Sequence, residues 1–401
     1  MNETADYSYD VVVVGGAGHV GLPLAVAFAS RGLRTVVYDV NQVAVDTILR
    51  GELPFLENGL EELLGEVLEA DRLTATTDNA VMGQAEHVVV VIGTPVDEHL
   101  NPDPHAVPKA LESGRHLLRP GQLVVLRSTV YPGVTKRVEK LFSDNGDKVD
   151  VAFCPERIAE GKAMEELFDL PQIVSARTPA VRERAAALFR HLTDSIVELE
   201  PEEAELAKLF TNTWRYIKFA AANQFYVMAN DHGLDYDVIR KALAHDYPRA
   251  KDMPGAGFAA GPCLFKDTMQ LAAFTDNSFV LGHSAMLVNE GLPLYLVSRL
   301  EKKYRLENLT VGILGMAFKG ESDDIRSSLS YKLKRILQFR AARVITTDPY
   351  VTVDDSLMPI DDVLEQADIL IIGAPHRQYQ NVSASVEVVD VWNLLGKGTT
   401  V

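Results

Sequence analysis

The chain has 401 residues, of which 47% are hydrophobic and 24% charged, proportions that are ordinary for a soluble globular protein. This length exceeds what one hydrophobic core usually organises, so we expect more than one domain. The net charge of −17 argues against nonspecific binding to nucleic acid, and any anionic ligand would need local cations and helix N-termini to hold it. We therefore expect chemistry on a small molecule.

The two cysteines, Cys154 and Cys263, are too few and too far apart for a disulfide framework, which fits a reducing cytoplasm. The N-terminal residues are acidic where an export signal needs cations, so we expect a cytoplasmic protein. Residues 11–30 carry no charged side chain and would attract attention as a membrane span. Glycines and a proline interrupt this run, which favours a strand, a turn and a helix instead.

The first elements predict a βαβ unit. Val11–Val14 is a β-branched run that ends in glycines, an apolar helical pattern continues through Ala29, and Thr35–Tyr38 is a second strand that ends at Asp39. Further apolar runs alternate with helix-like stretches and lie at 88–92, 123–126, 151–153 and 173–175. This alternation predicts a doubly wound parallel sheet.

A glycine fingerprint lies inside this unit. Gly16, Gly18 and Gly21 follow the first strand and open the helix, and Asp39 stands eighteen residues after the last glycine. Such glycines let the backbone approach a pyrophosphate at a helix N-terminus, and the carboxylate can accept hydrogen bonds from ribose hydroxyls. Because a carboxylate there repels a 2′-phosphate, the pattern favours NAD over NADP. The alternative is a glycine turn that serves packing alone.

Two thiols stand beside short polar motifs. Cys154 directly follows a predicted strand, and we expect it to be structural, with Glu156 and Glu160 as the residues of interest beside it. Cys263 follows Gly261-Pro262, a helix-start signal, and a thiol at a helix N-terminus near lysines has a lowered pKa. We expect a nucleophile there, and a small buried hydrophobe is the alternative. The ten histidines show no metal-ligand spacing, so we predict no metal site.

A long helix is predicted from about Pro201, since no further Pro or Gly occurs until Gly233. Lys208 and Asn212 lie four residues apart and share a helix face, and Glu205 stands close enough to join them. We expect this helix to connect two domains. The apolar residues that follow the helical period and predict a buried face are Leu206, Leu209, Phe210, Thr213 and Ile217.

The strand pattern resumes at 310–315 and repeats the first unit, down to Asp348 at the end of its second strand. We expect a helix at 328–339 and strands at 343–347, 369–372 and 386–389. The chain thus predicts an α/β fold of two Rossmann-like, doubly wound parallel-sheet domains joined by a long helical connector. The expected bounds are 1–200 for the NAD-binding domain, 201–303 for the connector and 304–401 for the second Rossmann-like domain.

Together these segments resemble the UDP-glucose/GDP-mannose dehydrogenase family, which oxidises C6 of nucleotide sugars by four electrons with NAD. The resemblance covers nearly the whole chain in order. Its motifs are Gly16–Gly21 with Asp39, Gly93–Val96, Ser128–Val130 with Pro132-Gly133, Pro155–Arg157 with Glu160-Gly161, Glu205–Lys208 with Asn212, Cys263 with Lys266-Asp267, and Phe318–Gly320 with Asp324 and Arg326.

Within the family, segments 93–103 and 155–163 are most similar to the branch that oxidises UDP-N-acetylmannosamine or UDP-N-acetylglucosamine. The chain departs from the family pattern at Ala260-Gly261-Pro262, at Phe265, and at Asp390–Asn393, which lacks a basic residue often found after that aspartate. The resemblance places these segments at the sugar and nucleotide pockets. UDP-glucose and GDP-mannose therefore stay open as alternative substrates.

The resemblance also implies a mechanism and a set of site residues. C6 is oxidised to an aldehyde, Cys263 adds to it as a thiohemiacetal, a second oxidation gives a thioester, and hydrolysis releases the uronic acid. The implied catalytic residues are Cys263, Lys208, Asn212, Asp267, Glu156, Glu160 and Thr129. The cofactor-binding residues are Gly16, Gly18, His19, Val20, Gly21, Asp39, Thr94, Thr129 and Lys266. The substrate-binding residues are Arg157, Lys208, Asn212, Arg249, Gly257, Phe258, Phe318, Lys319 and Arg326.

Within this scheme Lys208 and Asn212 stabilise the oxyanions, the carboxylates and Thr129 position water, and Arg249 could come from a neighbouring subunit. We expect a homodimer or higher homo-oligomer built through the connector, a UDP-sugar as substrate, and no nucleic-acid or membrane partner. A role in polysaccharide precursor synthesis follows. Two other functions stay open: a two-electron dehydrogenase of the 3-hydroxyacid type, and a non-catalytic sugar-nucleotide binding protein.

Overall fold

The structure is a computed structural model that describes residues 7–94, 96–97, 102–383 and 385–401. The predicted motif at 93–103 therefore lies partly outside the described residues. The chain divides into two compact units, one that ends at Phe210 and one that begins at Thr211. Each unit has its own parallel sheet.

The first unit contains eight strands in one sheet. They are β1 (Tyr9–Val14), β2 (Thr35–Tyr38), β3 (Leu73–Thr76), β4 (Ala85–Val90), β5 (Leu123–Leu126), β6 (Asp150–Phe153), β7 (Gln172–Ser175) and β8 (Ile196–Leu199). Their order across the sheet is β3-β2-β1-β4-β5-β6-β7-β8. Among the described strands, neighbours run parallel except β6 and β7, which are antiparallel.

Helices cover both faces of this sheet. They are α1 (Gly21–Ser30), α2 (Gln42–Leu49), α3 (Leu60–Glu69), α4 (Ala106–Gly114), α5 (Val134–Asp144), α6 (Ala163–Asp169) and α7 (Pro179–Phe189). Val11 and Val13 of β1 pack in one apolar cluster with α1, and Val12 and Val14 pack in another with α4 and α5. A strand buried on both faces explains why β1 is a continuous apolar run.

The uncharged stretch 11–30 is thus a strand, a glycine turn and a buried helix, as predicted. Every residue of α1 from Gly21 to Ala29 is buried. Across the part of the chain that the structure describes, no helix combines the length and apolar character that a membrane crossing requires.

Helix α8 (Pro201–Asp231) has 31 residues and joins the two units. Its buried side chains include Glu205, Lys208 and Asn212, which recur at the helical period. The expectation that Phe210 is buried was wrong, because Phe210 is 56% exposed. Polar residues that make specific contacts form the inward face of this part of α8. Positions 210 and 214 therefore lie on the outward face.

The second unit contains a four-stranded parallel sheet and further helices. The strands are β9 (Thr310–Leu314), β10 (Arg343–Thr347), β11 (Ile369–Ile372) and β12 (Glu387–Val389), in the order β10-β9-β11-β12. The helices are α9 (Tyr236–Ala244), α10 (Leu264–Phe274), α11 (Val280–Lys303), α12 (Leu329–Gln338) and α13 (Ile360–Gln366). The predicted α/β class, with two parallel-sheet domains joined by a long helix, is confirmed.

Glu205 fixes α8 to the segment that follows β5. Its carboxylate is buried and accepts hydrogen bonds from the Gly133 N–H at 2.6 Å, the Thr135 N–H at 2.8 Å and the Thr135 hydroxyl at 2.6 Å. These donors lie at the N-terminus of α5, where the helix dipole favours a negative charge. These hydrogen bonds of Glu205 are therefore with the N-terminus of α5 rather than with Lys208 and Asn212, which it was expected to join.

Glu205→Gln should lower the free energy of unfolding by about 1–3 kcal/mol, because an amide places its own N–H group against buried donors. Urea unfolding followed by circular dichroism measures this. Glu69→Gln, an exposed residue at the end of α3, is the matched control and should stay within about 0.5 kcal/mol of wild type. Equal effects of the two substitutions would contradict the assignment.

Candidate functional site

The predicted glycine fingerprint forms the turn between β1 and α1. A Cβ on Gly16 would lie 2.6 Å from the Val13 carbonyl oxygen, and one on Gly21 would lie 2.6 Å from the Gly16 Cα, so both positions require glycine. A Cβ on Gly18 would have no neighbour within 4 Å. No side chain of the described residues caps α1. The turn thus leaves open space and helix N–H groups that fit a pyrophosphate.

Asp39 lies at the carboxyl end of β2 and closes this turn. Its Oδ2 accepts a hydrogen bond from the Ala17 N–H at 3.0 Å, and Oδ1 accepts one from the Asn41 N–H at 3.0 Å. A carboxylate has about four lone-pair positions, so capacity for ribose hydroxyls remains. These residues therefore fit an adenosine dinucleotide.

Thr94 and Thr129 meet at the carboxyl ends of β4 and β5. The Thr94 hydroxyl donates to the Thr129 carbonyl at 2.6 Å, and the Ile92 N–H donates to the Ser128 hydroxyl oxygen at 2.8 Å. The strand order reverses between β1 and β4, and ligands of doubly wound sheets bind at that point. Two predicted cofactor residues are thus brought together at the expected edge.

His19 brings the glycine turn next to the segment after β6. Its Nδ1 lies 3.9 Å from a carboxylate oxygen of Glu160, and its ring packs against Phe55 with centroids 4.1 Å apart. Glu57 holds the same segment by accepting from the Gly161 N–H at 2.8 Å and the Ala163 N–H at 2.9 Å. Glu57 was not among the predicted site residues, since a lone acidic residue in a loop is normally solvated.

A buried guanidinium organises the interior beneath this segment. Arg127 is 1% exposed and donates to the Cys154 carbonyl at 2.9 Å and to the Gln172 side-chain oxygen at 2.9 Å. Its guanidinium also lies 4.6 Å from the centre of the Phe189 ring and pairs with Glu156. Arg127 was not among the predicted site residues, because a single arginine after a strand carries no pattern.

Glu156 is committed to the same network. Besides Arg127, its carboxylate accepts hydrogen bonds from the backbone N–H groups of Arg157 at 2.6 Å and Ile158 at 3.0 Å. The Arg157 side chain donates to the Pro171 carbonyl. This geometry favours a role for Glu156 in shaping the segment, and its expected role in activating water stays a prediction.

The two cysteines have contrasting surroundings. Cys154 is fully buried, and this burial raises the pKa of its thiol to about 12, although the Arg127 charge acts in the opposite direction. Cys263 is exposed and stands at the N-cap position of α10, where the helix dipole favours a thiolate. Cys263 thus stands at the predicted helix start, and the roles expected for the two thiols stay predictions.

Asp267 lies one turn into α10 from Cys263 and is fully buried. Its Oδ2 accepts a hydrogen bond from the Asn212 amide nitrogen at 2.5 Å, and its Oδ1 lies 3.4 Å from the Lys266 ammonium. Three predicted site residues are thus brought together. Lys208 is buried one turn before Asn212 on α8.

The loop before Cys263 is held at two points. Asn223 on α8 accepts from the Gly257 N–H and donates to the Gly257 carbonyl, both at 2.9 Å. At the other end, Gly261 has a φ of +98°, and a Cβ there would lie 2.6 Å from the Phe318 ring. The Gly261 N–H donates to the Ser327 carbonyl at 3.4 Å. Sequence analysis predicted Gly257 and Phe318 but missed Asn223.

Aromatic and basic side chains surround this loop. Phe258 meets Trp392 edge to face at 6.2 Å, and a Cβ on Gly257 would lie 2.2 Å from the Trp392 ring, so Trp392 requires glycine there. The Lys319 ammonium lies 5.5 Å from the centre of the Phe318 ring.

Arg326 and Arg249 are both exposed. The Arg326 guanidinium pairs with the buried Asp324 carboxylate at 2.5 Å. Arg249 donates to the Tyr247 hydroxyl at 3.1 Å and lies over that ring. The described contacts of Arg249 do not link it to the other predicted substrate residues.

Comparison with known proteins decides the family. Three models of the UDP-glucose/GDP-mannose dehydrogenase family match the chain: the NAD binding domain at residues 10–193, the central domain at 202–290 and the UDP binding domain at 312–397. A UDP-N-acetyl-D-mannosamine dehydrogenase from Pyrococcus horikoshii is 30% identical over 96% of this chain and 92% of its own length. The chain belongs to the UDP-glucose/GDP-mannose dehydrogenase family.

Two further relatives span nearly the whole molecule. A UDP-N-acetyl-D-mannosamine dehydrogenase from Yersinia pestis is 28% identical over 98% of this chain and 99% of its own length. The structure of a UDP-glucose dehydrogenase from Pyrobaculum islandicum superposes with a TM-score of 0.87 at 29% identity, and covers 97% of this chain and 95% of its own. The chain is therefore an NAD-dependent nucleotide-sugar dehydrogenase, and the predicted cofactor, NAD, is confirmed.

Iodoacetamide should modify Cys263 in the native enzyme and leave Cys154 untouched, since a thiol with a pKa of about 12 has almost no thiolate at pH 8. Intact mass spectrometry counts one adduct on the native chain and two after denaturation. Cys263→Ser should remove the native adduct, and Cys154→Ser should keep it. If native labelling survived Cys263→Ser, the assignment of Cys263 as the reactive thiol would be wrong.

Proposed function

We propose that this enzyme oxidises the C6 hydroxymethyl group of a UDP-N-acetylhexosamine to the uronic acid, with UDP-N-acetylmannosamine as the first candidate and UDP-N-acetylglucosamine as the second. The observation that carries the proposal is the exposed Cys263 at the N-terminus of α10, one turn from the buried Asp267. The relatives from Yersinia pestis and Pyrococcus horikoshii support the choice of sugar. UDP-glucose and GDP-mannose are the alternatives.

The cofactor is held by the residues of the β1–α1 turn and its neighbours, with the backbone of Gly16–Gly21 at the pyrophosphate and Asp39 at the ribose. Thr94, Thr129 and Lys266 complete this set in our proposal. NAD, when bound, accepts a hydride from C6 in each of the two oxidation steps. The remaining chemistry belongs to side chains of this chain.

The Cys263 thiolate adds to the aldehyde carbon, so that a C–S bond forms and the carbonyl oxygen becomes an alkoxide that takes up a proton. This thiohemiacetal loses its C6 hydrogen as hydride to NAD and its hydroxyl proton to solvent, and so becomes a thioester. Water then adds to the thioester carbon, the C–S bond breaks, and the thiolate leaves as the carboxylate forms. A covalent intermediate of this kind divides one difficult oxidation into separate, easier steps.

Lys208 and Asn212 stabilise the oxyanions in this sequence. One Asn212 amide hydrogen is committed to Asp267, which orients the amide, and its second hydrogen is the donor to the C6 oxygen. Each such donor typically contributes about 3 kcal/mol to the transition state. Asp267, Glu160 and Thr129 position the water, with Glu156 shaping the segment that carries Glu160.

The substrate is held mainly by residues of the second unit. Phe318, Lys319 and Arg326 lie within the UDP binding domain model, and Gly257 and Phe258 lie in the loop before Cys263. Arg157 and Arg249 complete the proposed set. Lys319 and the arginines supply the positive charge that a diphosphate needs in a chain of net charge −17.

We also propose the division into domains 1–200, 201–303 and 304–401, a cytoplasmic location and a role in polysaccharide precursor synthesis. The bounds of the three family models support the domains, and the two free cysteines support the location.

A homodimer through the connector is supported by exposed apolar side chains on α8 and α11, where Trp214, Leu287 and Leu294 are 59%, 68% and 53% exposed.

Incubation with UDP-N-acetylmannosamine and NAD should yield two NADH per sugar and a uronic acid. NADH absorbance and mass spectrometry of the product measure this, with UDP-N-acetylglucosamine, UDP-glucose and GDP-mannose in parallel. Cys263→Ala should form no acid, and Cys154→Ala is the matched control that keeps activity. One NADH per sugar with an aldehyde product would contradict the mechanism, and activity only on a short hydroxyacid would favour the 3-hydroxyacid class.

Light scattering after gel filtration should give a mass of at least two chains, each of 44.1 kDa. Leu287→Asp should shift the mass toward one chain, because a buried carboxylate without a partner opposes association. Val353→Asp replaces a similarly exposed residue, 73% exposed and outside the connector, and should leave the mass unchanged. A wild-type mass of one chain at micromolar concentration would contradict the homodimer.

A further inference from the structure

His376 is a fully buried imidazole that the reaction scheme above does not use. It lies just after β11. Its Nδ1 is 2.9 Å from the Glu321 backbone nitrogen, and its Nε2 is 3.1 Å from Oδ2 of Asp348. A backbone N–H can only donate, so Nδ1 is the acceptor and the ring hydrogen sits on Nε2, directed at the carboxylate.

Asp348 is the counterpart of Asp39, since each aspartate follows the second strand of its βαβ unit. Both accept hydrogen bonds from the turn after the first strand: Asp39 from Ala17, and Asp348 from Met316 at 2.6 Å and Ala317 at 3.0 Å. Burial acts to raise the pKa of Asp348, but the hydrogen bonds that it accepts from His376 and from backbone N–H groups bring it below its usual value. Asp348 is thus ionised and accepts a hydrogen bond from the buried His376.

The His376 ring has little freedom to turn. It packs against Tyr350 with centroids 5.0 Å apart and against Tyr379 at 5.6 Å. The next residue, Arg377, donates its backbone N–H to the Glu321 carboxylate at 2.8 Å. Glu321 is therefore held through both its backbone and its side chain.

The contacts of His376 and Arg377 maintain a strained turn at Glu321. Glu321 has a φ of +55°, a conformation that costs about 1–3 kcal/mol at a non-glycine residue unless its surroundings maintain it. The preceding Gly320 lies so close to Pro375 that a Cβ would be 2.5 Å from its carbonyl oxygen. Phe318 and Lys319 directly precede this turn, and the Phe318 ring packs on Gly261, two residues before Cys263.

We propose that His376 is a positioning residue for the nucleotide sugar: it holds the turn at Gly320-Glu321 and thereby sets Phe318 and Lys319 for binding. The inference rests on the proposed function, in which these two residues contact the substrate. His376 itself touches neither substrate nor cofactor. In the second Rossmann-like domain, Asp348 occupies the position that corresponds to Asp39. Through His376, it thus helps to hold the turn that positions the substrate-binding residues.

The test compares His376→Leu with His376→Gln. A glutamine can accept from the Glu321 N–H through its oxygen and donate to Asp348 through its nitrogen, whereas leucine fills similar space with no polar atom. His376→Leu should raise KM for the UDP-sugar about tenfold or more and leave KM for NAD within about twofold. His376→Gln should stay within about threefold of wild type. A tenfold change corresponds to about 1.4 kcal/mol.

Calorimetric titration with UDP gives a readout that needs no turnover, and the affinity should fall in His376→Leu and recover in His376→Gln. Thr346→Val, which changes a buried residue of β10, controls for simple loss of stability and should keep UDP affinity. If His376→Leu does not fold, His376→Asn is compared instead, because its shorter amide reaches only one of the two partners.

Unchanged UDP affinity in the leucine variant would overturn the inference, as would equal losses in the leucine and glutamine variants or a parallel rise in KM for NAD. These outcomes differ from a failure of the proposed function. If wild-type enzyme reduced no NAD with any UDP-sugar, the proposed reaction would fail, while the UDP titrations would still decide the role of His376.

Discussion

Backbone N–H groups in loops lack the hydrogen-bond partners that helices and sheets provide. In this enzyme, several loop N–H groups donate instead to a buried or half-buried carboxylate. Asp39 accepts from the glycine turn, Glu57 from the segment at 161–163, Glu205 from the N-terminus of α5 and Asp348 from the turn after β9. Each bond satisfies a donor that would be costly to bury alone, which favours the observed conformation of the loop. Part of the negative charge of this chain therefore serves to accept hydrogen bonds from its own loops.

Much of the fold could be predicted because strong apolar runs and glycine turns repeat in order. The bounds of β2, β5, β10 and β11 match the predicted runs, since each is a short apolar or β-branched segment with clear ends. Strands β3 and β8 lie at the two edges of the sheet and were missed because they are less buried than the inner strands. Buried and half-buried residues alternate in β3, and no residue of β8 is fully buried. Phe210 was misplaced because apolar periodicity alone does not distinguish a face turned toward the interior from one left outside.

The candidate site could be predicted only in part, and for a physical reason. Cys263, Asp267 and the glycine fingerprint have local patterns, so sequence spacing identifies them. Asn223 and His376 act through contacts with residues 34 and 55 positions away along the chain, and no local pattern encodes such contacts. Long-range hydrogen bonds to loop backbones are therefore what sequence analysis failed to find.

The different surroundings of the two cysteines have a consequence for oxidative stress. An accessible cysteine thiolate is the form that peroxide converts to a sulfenic acid, and a nearby second thiol often rescues it by forming a disulfide. Cys154 cannot serve in that way, because it is fully buried and its pKa of about 12 keeps it protonated. An oxidised Cys263 would then depend on small thiols in solution for its recovery, and without them its oxidation would proceed to irreversible acids.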